Sequence, residues 1–225
     1  MEWFPGFGPL LLTVKLAALT TLILLLIGTP VAWWLANTRV RFKPFIEAVV
    51  ALPLVLPPTV IGFYLLILLG PQGMIGGWWV ELTGAALTFT FSGLVIASVL
   101  YSFPFVVQPL HSAFEGVGKD FMEAASTLGA SRLDAFFTIA VPLARRGFLT
   151  ATVLGFAHTL GEFGVVLMVG GNIPNETRVV SIAIYDHVEM LHYDKAHALS
   201  AILLVFAFIT MLIMYIVNHR DRVRA

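Results

Sequence analysis

Four positions in the fourth apolar run of this 225-residue chain are spaced for chemistry. Ala151, Gly155, His158 and Glu162 follow at steps of four, three and four, which on a helix puts small and polar side chains along one face. Small residues let backbones approach closely, and an acid in the middle of a membrane helix costs about 2.5–3.5 kcal/mol on insertion scales. Glu162 therefore needs a partner or water. The sequence predicts a structural or gating role, with its carboxylate bonded to backbone near Gly161 and Gly164 or paired with His158. A proton relay through His158 and Glu162, as in a secondary carrier, is the competing chemistry. An intramembrane hydrolase would need a nucleophile or third metal ligand beside them, and the sequence supplies neither.

Two other groups invite a chemical reading. Pro53, Pro57 and Pro58 interrupt the second apolar run; each removes a backbone donor and disturbs hydrogen bonding to the preceding turn. Such breaks are tolerated in a bilayer only against protein or a wet cavity. Pro57, Pro58 and Thr59 are thus either a packing kink or the lining of a conduction path, where freed backbone groups and a hydroxyl offer polar contacts to a passing solute. Pro104 and Pro109 in the third run pose the same question with less force. Asp186, His187, Glu189, His192, Asp194 and His197 crowd one later stretch, but His187, His192 and His197 are five apart, a rotation of about 140° per step on a helix. No metal site is expected, and no cofactor.

The elements that must position these residues belong to a membrane protein. Hydrophobic residues make up 59% of the chain and charged ones 12%, the net charge is zero and the mean hydropathy is +0.92, which excludes an ordinary soluble core. Five apolar runs reach the roughly 20 residues that a bilayer crossing needs. The predicted spans are about 10–36, 47–69, 85–110, 148–169 and 197–218. Residues 1–36 have no basic segment before the apolar run and no small-x-small site after it, so a retained span is expected, not a cleaved signal. No repeat or linker divides the chain, and 1–225 is read as one domain. Cysteine is absent, so there are no disulfides or thiolate metal sites.

Basic residues set the orientation, because short cytoplasmic loops hold an excess of Lys and Arg. Arg39, Arg41 and Lys43 follow the first span; Lys119, Arg132, Arg145 and Arg146 lie between the third and fourth; Arg220, Arg222 and Arg224 follow the fifth. All fall on one side, leaving Arg178 and Lys195 on the other, with Lys15 placed to snorkel. The N-terminus is expected outside and the C-terminus inside. The outer pieces are a Gly-rich turn from Gly70 to Gly84, carrying Trp78 and Trp79, and a loop from Gly170 to Lys195.

The inner loop, about 111–147, is densely punctuated. Gly116 and Gly118 are expected to break the preceding helix, Asp120 to cap a new one with Glu123 three residues on, and Gly129 to end it. Ser131 with Asp134 repeats the capping pattern, and Pro142 is placed to open the helix entering the fourth span. A short amphipathic helix here either lies on the lipid surface or docks a cytosolic partner. The four lysines, Lys15, Lys43, Lys119 and Lys195, are never followed by Ser or Thr, so no Walker A phosphate loop exists. Energy for any transport must come from another subunit. The inner charges are scattered over three short segments, which suits topology and docking and not nucleic acid.

The segment EAASTLGASRLDAFFTIAVP, Glu123 to Pro142, resembles the cytoplasmic motif of ABC importer permeases: Glu-Ala-Ala, three residues, Gly, nine residues, Ile, one residue, Leu-Pro. Glu123, Ala124, Ala125, Gly129, Ile139 and Pro142 stand at those places, with Val141 where Leu is usual. LPLVLPPTVIGFYLL from Leu52 and TLGEFGVVLMVGGNIPNETR from Thr159 resemble the molybdate branch; sulfate and thiosulfate permeases look like longer chains sharing the later pieces, and are the runner-up. His158 stands where relatives commonly carry Arg. The resemblance implies an all-α permease of the type I importer architecture, with five transmembrane helices and a cytoplasmic coupling helix. It also implies a homodimer in the bacterial inner membrane, a pair of cytosolic ATPase subunits docked on the coupling segment, and an extracytoplasmic molybdate-binding protein.

Overall fold

The computed structural model describes residues 7–223, and their side chains apart from those of Lys119 and residues 217–223. Arg220 and Arg222, in the basic cluster after the last span, have side chains outside the described set, and Arg224 lies outside it altogether. Among the described residues every regular element is helical.

The first helix, α1 (Gly8–Asn37), buries Thr13, Leu16, Ala17, Thr20, Thr21, Leu24, Gly28, Ala32 and Leu35. Steps of three and four gather them on one face. Three of its threonines satisfy their hydroxyls locally, Thr13, Thr21 and Thr29 donating to the carbonyl four residues back at 2.7, 2.7 and 2.6 Å. In lipid, where no water is at hand, that removes a cost of the kind charged to unsatisfied polar groups.

The second apolar run is not one straight crossing. It forms α2 (Lys43–Val55) and α3 (Pro58–Leu69), bent by 110°. Leu56 and Pro57 between them are extended, with ψ of 138° each, as expected for residues that precede proline. The Gly70–Gly84 stretch, expected as a turn, contains the helix α4 (Met74–Thr83), closed by Gly84 in the left-handed region at φ 72°. Trp78 is exposed while Trp79 packs against Leu65 and Leu69 of α3.

Thr90 caps α5 (Phe91–Val117), accepting the Gly93 N–H at 3.1 Å. This helix runs through Pro104 and Pro109, and through Gly116 as well, so it is longer at its far end than 85–110 predicts. Glycine inside a helix weakens it without stopping it; the stop comes at Gly118, whose φ of 76° an L side chain resists. His111 and Glu115, one turn apart on this extension, meet Lys43 and Glu47 of α2, with Lys43 Nζ 3.3 Å and His111 Nε2 3.3 Å from Glu115 Oε1.

Two short helices follow, α6 (Lys119–Thr127) and α7 (Arg132–Ala135). A π-helical turn at Phe136–Ala140 then leads into α8 (Val141–Leu143). The stretch Arg132–Leu143 meets α9 (Arg145–Gly161) at 72°. Pro142 therefore sits just before this bend, inside α8, and does not open the long helix. The chain continues as α10 (Gly164–Gly170), α11 (Val180–Glu189) and α12 (Tyr193–Val223). The expected outer loop thus holds a helix, α11, whose first turn is tied to α1 by the Val180 N–H donating to Thr13 Oγ1 at 2.8 Å.

The main core lies where α1, α5 and α9 cross, with Leu24, Leu35, Val106, Val107, Leu110 and Ala151 fully buried. Gly28 and Gly155 let the helices close in: a methyl at either would press on Val106 or Val107. Among the described residues three helices are individually long and apolar enough to cross a membrane, α1, α5 and α12 up to Ile216, and the two bent pairs bring the number to as many as five. Only 11% of the most apolar stretch of α12 is buried in the chain. A helix apolar all round needs lipid or protein about it.

Candidate coupling segment and translocation path

The segment from Gly118 to Ala144 is built by backbone capping. Asp120 does not cap α6; Gly118 holds that position and Asp120 lies in the first turn, where its charge suits the helix dipole. At the other end Gly129, at φ 86°, reverses the chain. Ala130 N–H bonds to Ala125 C=O at 3.0 Å and Gly129 N–H to Ser126 C=O at 3.1 Å, the paired bonds of a Schellman cap. Ser131 then caps α7, accepting the Asp134 N–H at 3.1 Å.

These caps present a surface. Ala125 is buried on the inner face of α6, while Glu123, Ala124, Gly129 and Pro142 are exposed and Ile139 half-buried. Phe121, Leu128, Leu133 and Phe137 are exposed beside them, Leu128 at 88%. Exposed apolar side chains around an exposed acid have the composition of an interface core with its polar rim. Beneath, Trp33 of α1 packs edge-on against Phe114 and Phe136, with ring centroids 5.2 and 5.1 Å apart, and so anchors the segment to the helix core.

The candidate path residues come together at two chain breaks. The stretch α3 packs against α10 through glycines: a methyl on Gly164 would stand 2.9 Å from Pro58 Cβ, and one on Gly62 2.9 Å from Met168 Cβ. Pro58 and Gly164, far apart in sequence, are thus neighbours, with Pro57 and Thr59 exposed on the same turn.

At the second break, α9 ends at Gly161 and Glu162 is extended, with ψ 130°. The expectation of a mid-helix acid is corrected by this: Glu162 sits between helices, and Thr159, not His158, continues the buried face of Ala151 and Gly155. The backbone C=O of Glu162 accepts from Ser181 Oγ at 2.6 Å. Its side chain is 4% exposed. Ser98 and Tyr101 of α5 approach the carboxylate, yet neither carboxylate oxygen has a partner in hydrogen-bond geometry among the described residues. The expected bond to backbone near Gly161 and Gly164 is not formed, nor is the pairing with His158.

His158 turns instead to α5. Its Nδ1 lies 2.9 Å from Ser102 Oγ, which also lies 3.1 Å from Thr159 Oγ1, and its ring stacks on Phe105 with centroids 3.7 Å apart. Ser98, Tyr101, Ser102 and Phe105 are neighbours of Glu162 and His158 that the sequence reading missed. Their spacing of three, one and three is the signal, a polar and aromatic stripe on one face of an apolar span.

On the far face, Arg178 Nε donates to Asn172 Oδ1 at 2.5 Å, Asn172 Nδ2 to Asp186 Oδ1 at 3.1 Å, and Arg178 lies 3.7 Å from Asp186. His187 belongs to α11, His192 to the following turn and His197 to α12. The helical rotation expected between them does not apply. The His187 and His192 rings lie 6.1 Å apart, and no three ligand-type side chains gather among the described residues. Burial pushes the His187 imidazole below its ordinary value, and Lys195 nearby adds to the shift.

An apolar helical body with broken helices at its middle and a capped, exposed segment at one end is an arrangement that suits a transport permease. The chain belongs to the binding-protein-dependent transport system inner membrane component family, whose model matches residues 28–223. It is 60% identical over 204 residues to a molybdenum transport system permease protein of Azotobacter vinelandii, covering 91% of this chain and 90% of that one. A molybdenum transport system permease protein of Escherichia coli K12 is 37% identical over 98% of this chain and 97% of its own length. A probable sulfate transport system permease protein of Chlorella vulgaris is 34% identical, over 91% of this chain and 76% of that one. Among solved structures, a bacterial ABC transporter that imports alginate matches with a TM-score of 0.74 over 96% of this chain and 78% of its own, at 17% identity. That likeness concerns the fold.

Proposed function

We propose that this chain is the membrane-spanning subunit of an ATP-driven importer that carries molybdate, and by shared chemistry tungstate, across the bacterial inner membrane. The 60% identity to a relative named for molybdenum transport carries the cargo. Sulfate relatives are more distant, and this chain spans only about three quarters of them, which keeps sulfate as the second reading.

In this reading the chain crosses the bilayer five times, each bent pair counting as one crossing, with its N-terminus outside and its C-terminus inside. Lys43, Arg39 and Arg132 gather at the end that holds α6, which supports placing that end in the cytosol. Two copies enclose the path, since the exposed face of α2 and α3 leaves one copy with half a wall. A pair of ATPase subunits grips the two coupling segments, one subunit to each, around Glu123, and a soluble binding protein delivers the anion from outside. The absence of a Walker A loop supports a separate ATPase.

The geometry suggests how force travels. Helix α9 starts beside the coupling segment and ends at the Glu162 break, a span of about 25 Å at 1.5 Å per residue. There α10 is keyed to Pro58 of α3 through Gly164. Movement of α6–α8 therefore reaches both chain breaks through one rigid helix. Glu162 is a buried acid and offers an anionic cargo no positive charge, so its role is structural or gating and it does not bind cargo.

ATP-dependent uptake of radiolabelled molybdate into vesicles holding this chain, its ATPase and its binding protein tests the proposal. Competition by tungstate with little by sulfate is the expected result. Competition by sulfate moves the chain to the second reading, and uptake that follows a proton gradient without ATP overturns both.

A further inference from the structure

A cavity of about 490 Å³ lies between the end of α1 and the coupling segment, walled by Trp33, Asn37, Arg39, Ser126, Ser131 and Arg132 among others. Its wall carries two guanidinium groups, two hydroxyls and an amide. Neither Arg39 nor Arg132 has an acidic partner among the described residues. Ser131 Oγ accepts the Asp134 N–H, which leaves its own proton free to donate outward. Asn37 spends one amide hydrogen on Trp33 C=O at 2.9 Å and keeps the other. Glu123 is the one acid on the wall, so two guanidinium groups stand against a single carboxylate.

We infer that this cavity is a binding site for a tetrahedral oxyanion, either a free dianion in the cytosol or the phosphate of an anionic phospholipid. Guanidinium groups match such oxyanions in shape and charge, offering paired N–H donors to paired oxygens. The Trp33 ring and the basic residues also suit the headgroup level of a bilayer. Arg39 follows α1, while Ser126, Ser131 and Arg132 belong to the coupling segment, so one anion bridges the two. Its consequence, that an occupied cavity pins the coupling segment against α1 and slows transport, rests on the function proposed above; the binding itself does not.

The test is equilibrium binding to the full-length chain in nanodiscs, with radiolabelled molybdate and inorganic phosphate as probes in pure phosphatidylcholine. Native mass spectrometry of discs that also contain phosphatidylglycerol supplies the lipid arm. Saturable probe binding that weakens about tenfold or more in Arg39→Gln and Arg132→Gln, and is unchanged in Arg41→Gln, establishes a free-anion site. Phosphatidylglycerol retained by the native chain and lost from the same two variants establishes a lipid site. If neither probe nor lipid binds, or if binding ignores both substitutions, the inference is wrong. A path site that binds molybdate shows itself by that second behaviour. Neither arm measures uptake, so failure of the importer reading leaves the result interpretable.

Discussion

Gly129 offers the cleanest test of the coupling assignment, because its substitution perturbs only the backbone. At φ 86° it occupies a conformation that costs an L residue about 1–2 kcal/mol, and a methyl there would meet nothing within 4 Å. Gly129→Ala therefore strains the Schellman cap without a clash. If the cap opens, the two bonds at 3.0 and 3.1 Å go with it, each worth about 0.5–1.5 kcal/mol net. A cost of about 1–2 kcal/mol lowers the ratio of capped to opened helix by about 5–30-fold. The α1–α5–α9 core does not include this residue, so insertion and thermal unfolding should stay as in the native chain. ATPase co-purification and ATP-dependent uptake should fall together. Gly116→Ala is the control, since Gly116 is helical with open space around it and alanine there is neutral or stabilising by about 0.5–1 kcal/mol. Full coupling in Gly129→Ala, or a loss equal to that in Gly116→Ala, would refute the argument.

Glu123→Lys reverses an exposed charge on the same surface; the variant should insert normally and lose its ATPase on purification, and normal co-purification with normal uptake sinks the role of that residue. Gly62→Val forces side-chain atoms into Met168 and the Val165 backbone, an overpacking cost of about 1–3 kcal/mol that should appear as a lower melting temperature and lost uptake; a native melting curve would show that α3 and α10 do not cross so closely. Ser102→Ala strips the contacts to His158 and Thr159 at once; Thr159 keeps its bond to the Gly155 C=O at 3.0 Å, so the cost of about 1–3 kcal/mol comes from His158 Nδ1 left unpaired, read by thermal unfolding in detergent. An unchanged melting temperature would place His158 in water and away from α5.

The capped segment from Gly118 to Ala144 was legible in the sequence because its structure is local. Gly129, Ser131 and Asp134 each act within a few residues, so cap chemistry predicts their bonds from spacing alone. Errors there were of one or two positions: Gly118 displaced Asp120 as the start of α6, since a left-handed glycine already reverses the chain, and Pro142 fell before the bend. The spans were legible as apolar runs and no further. Hydropathy sums side chains and is blind to a bend, so the run from Ala48 to Leu69 reads the same whether Leu56 and Pro57 continue a helix or turn it by 110°.

The site around Glu162 was the least legible, and the reason is physical. Helical periodicity assumes that the helix continues, and the steps from Ala151 to Glu162 lose their meaning once α9 stops at Gly161. What decides the fate of the acid is distant in sequence: Ser181 takes its carbonyl, Ser98 and Tyr101 approach its carboxylate, and Ser102 diverts His158. Serine tolerates many places on a membrane helix because it can bond its own backbone, so its presence in α5 signals little until α9 is laid beside it. The break itself is then intelligible. An extended residue between two helices leaves backbone groups that lipid cannot satisfy, and Ser181 supplies one of the missing partners. The carboxylate has no such partner among the described residues. A buried acid without one bears a desolvation cost while the helices around it stay closed and regains water when they part, so at the Glu162 break that cost offsets part of the work of opening the bundle.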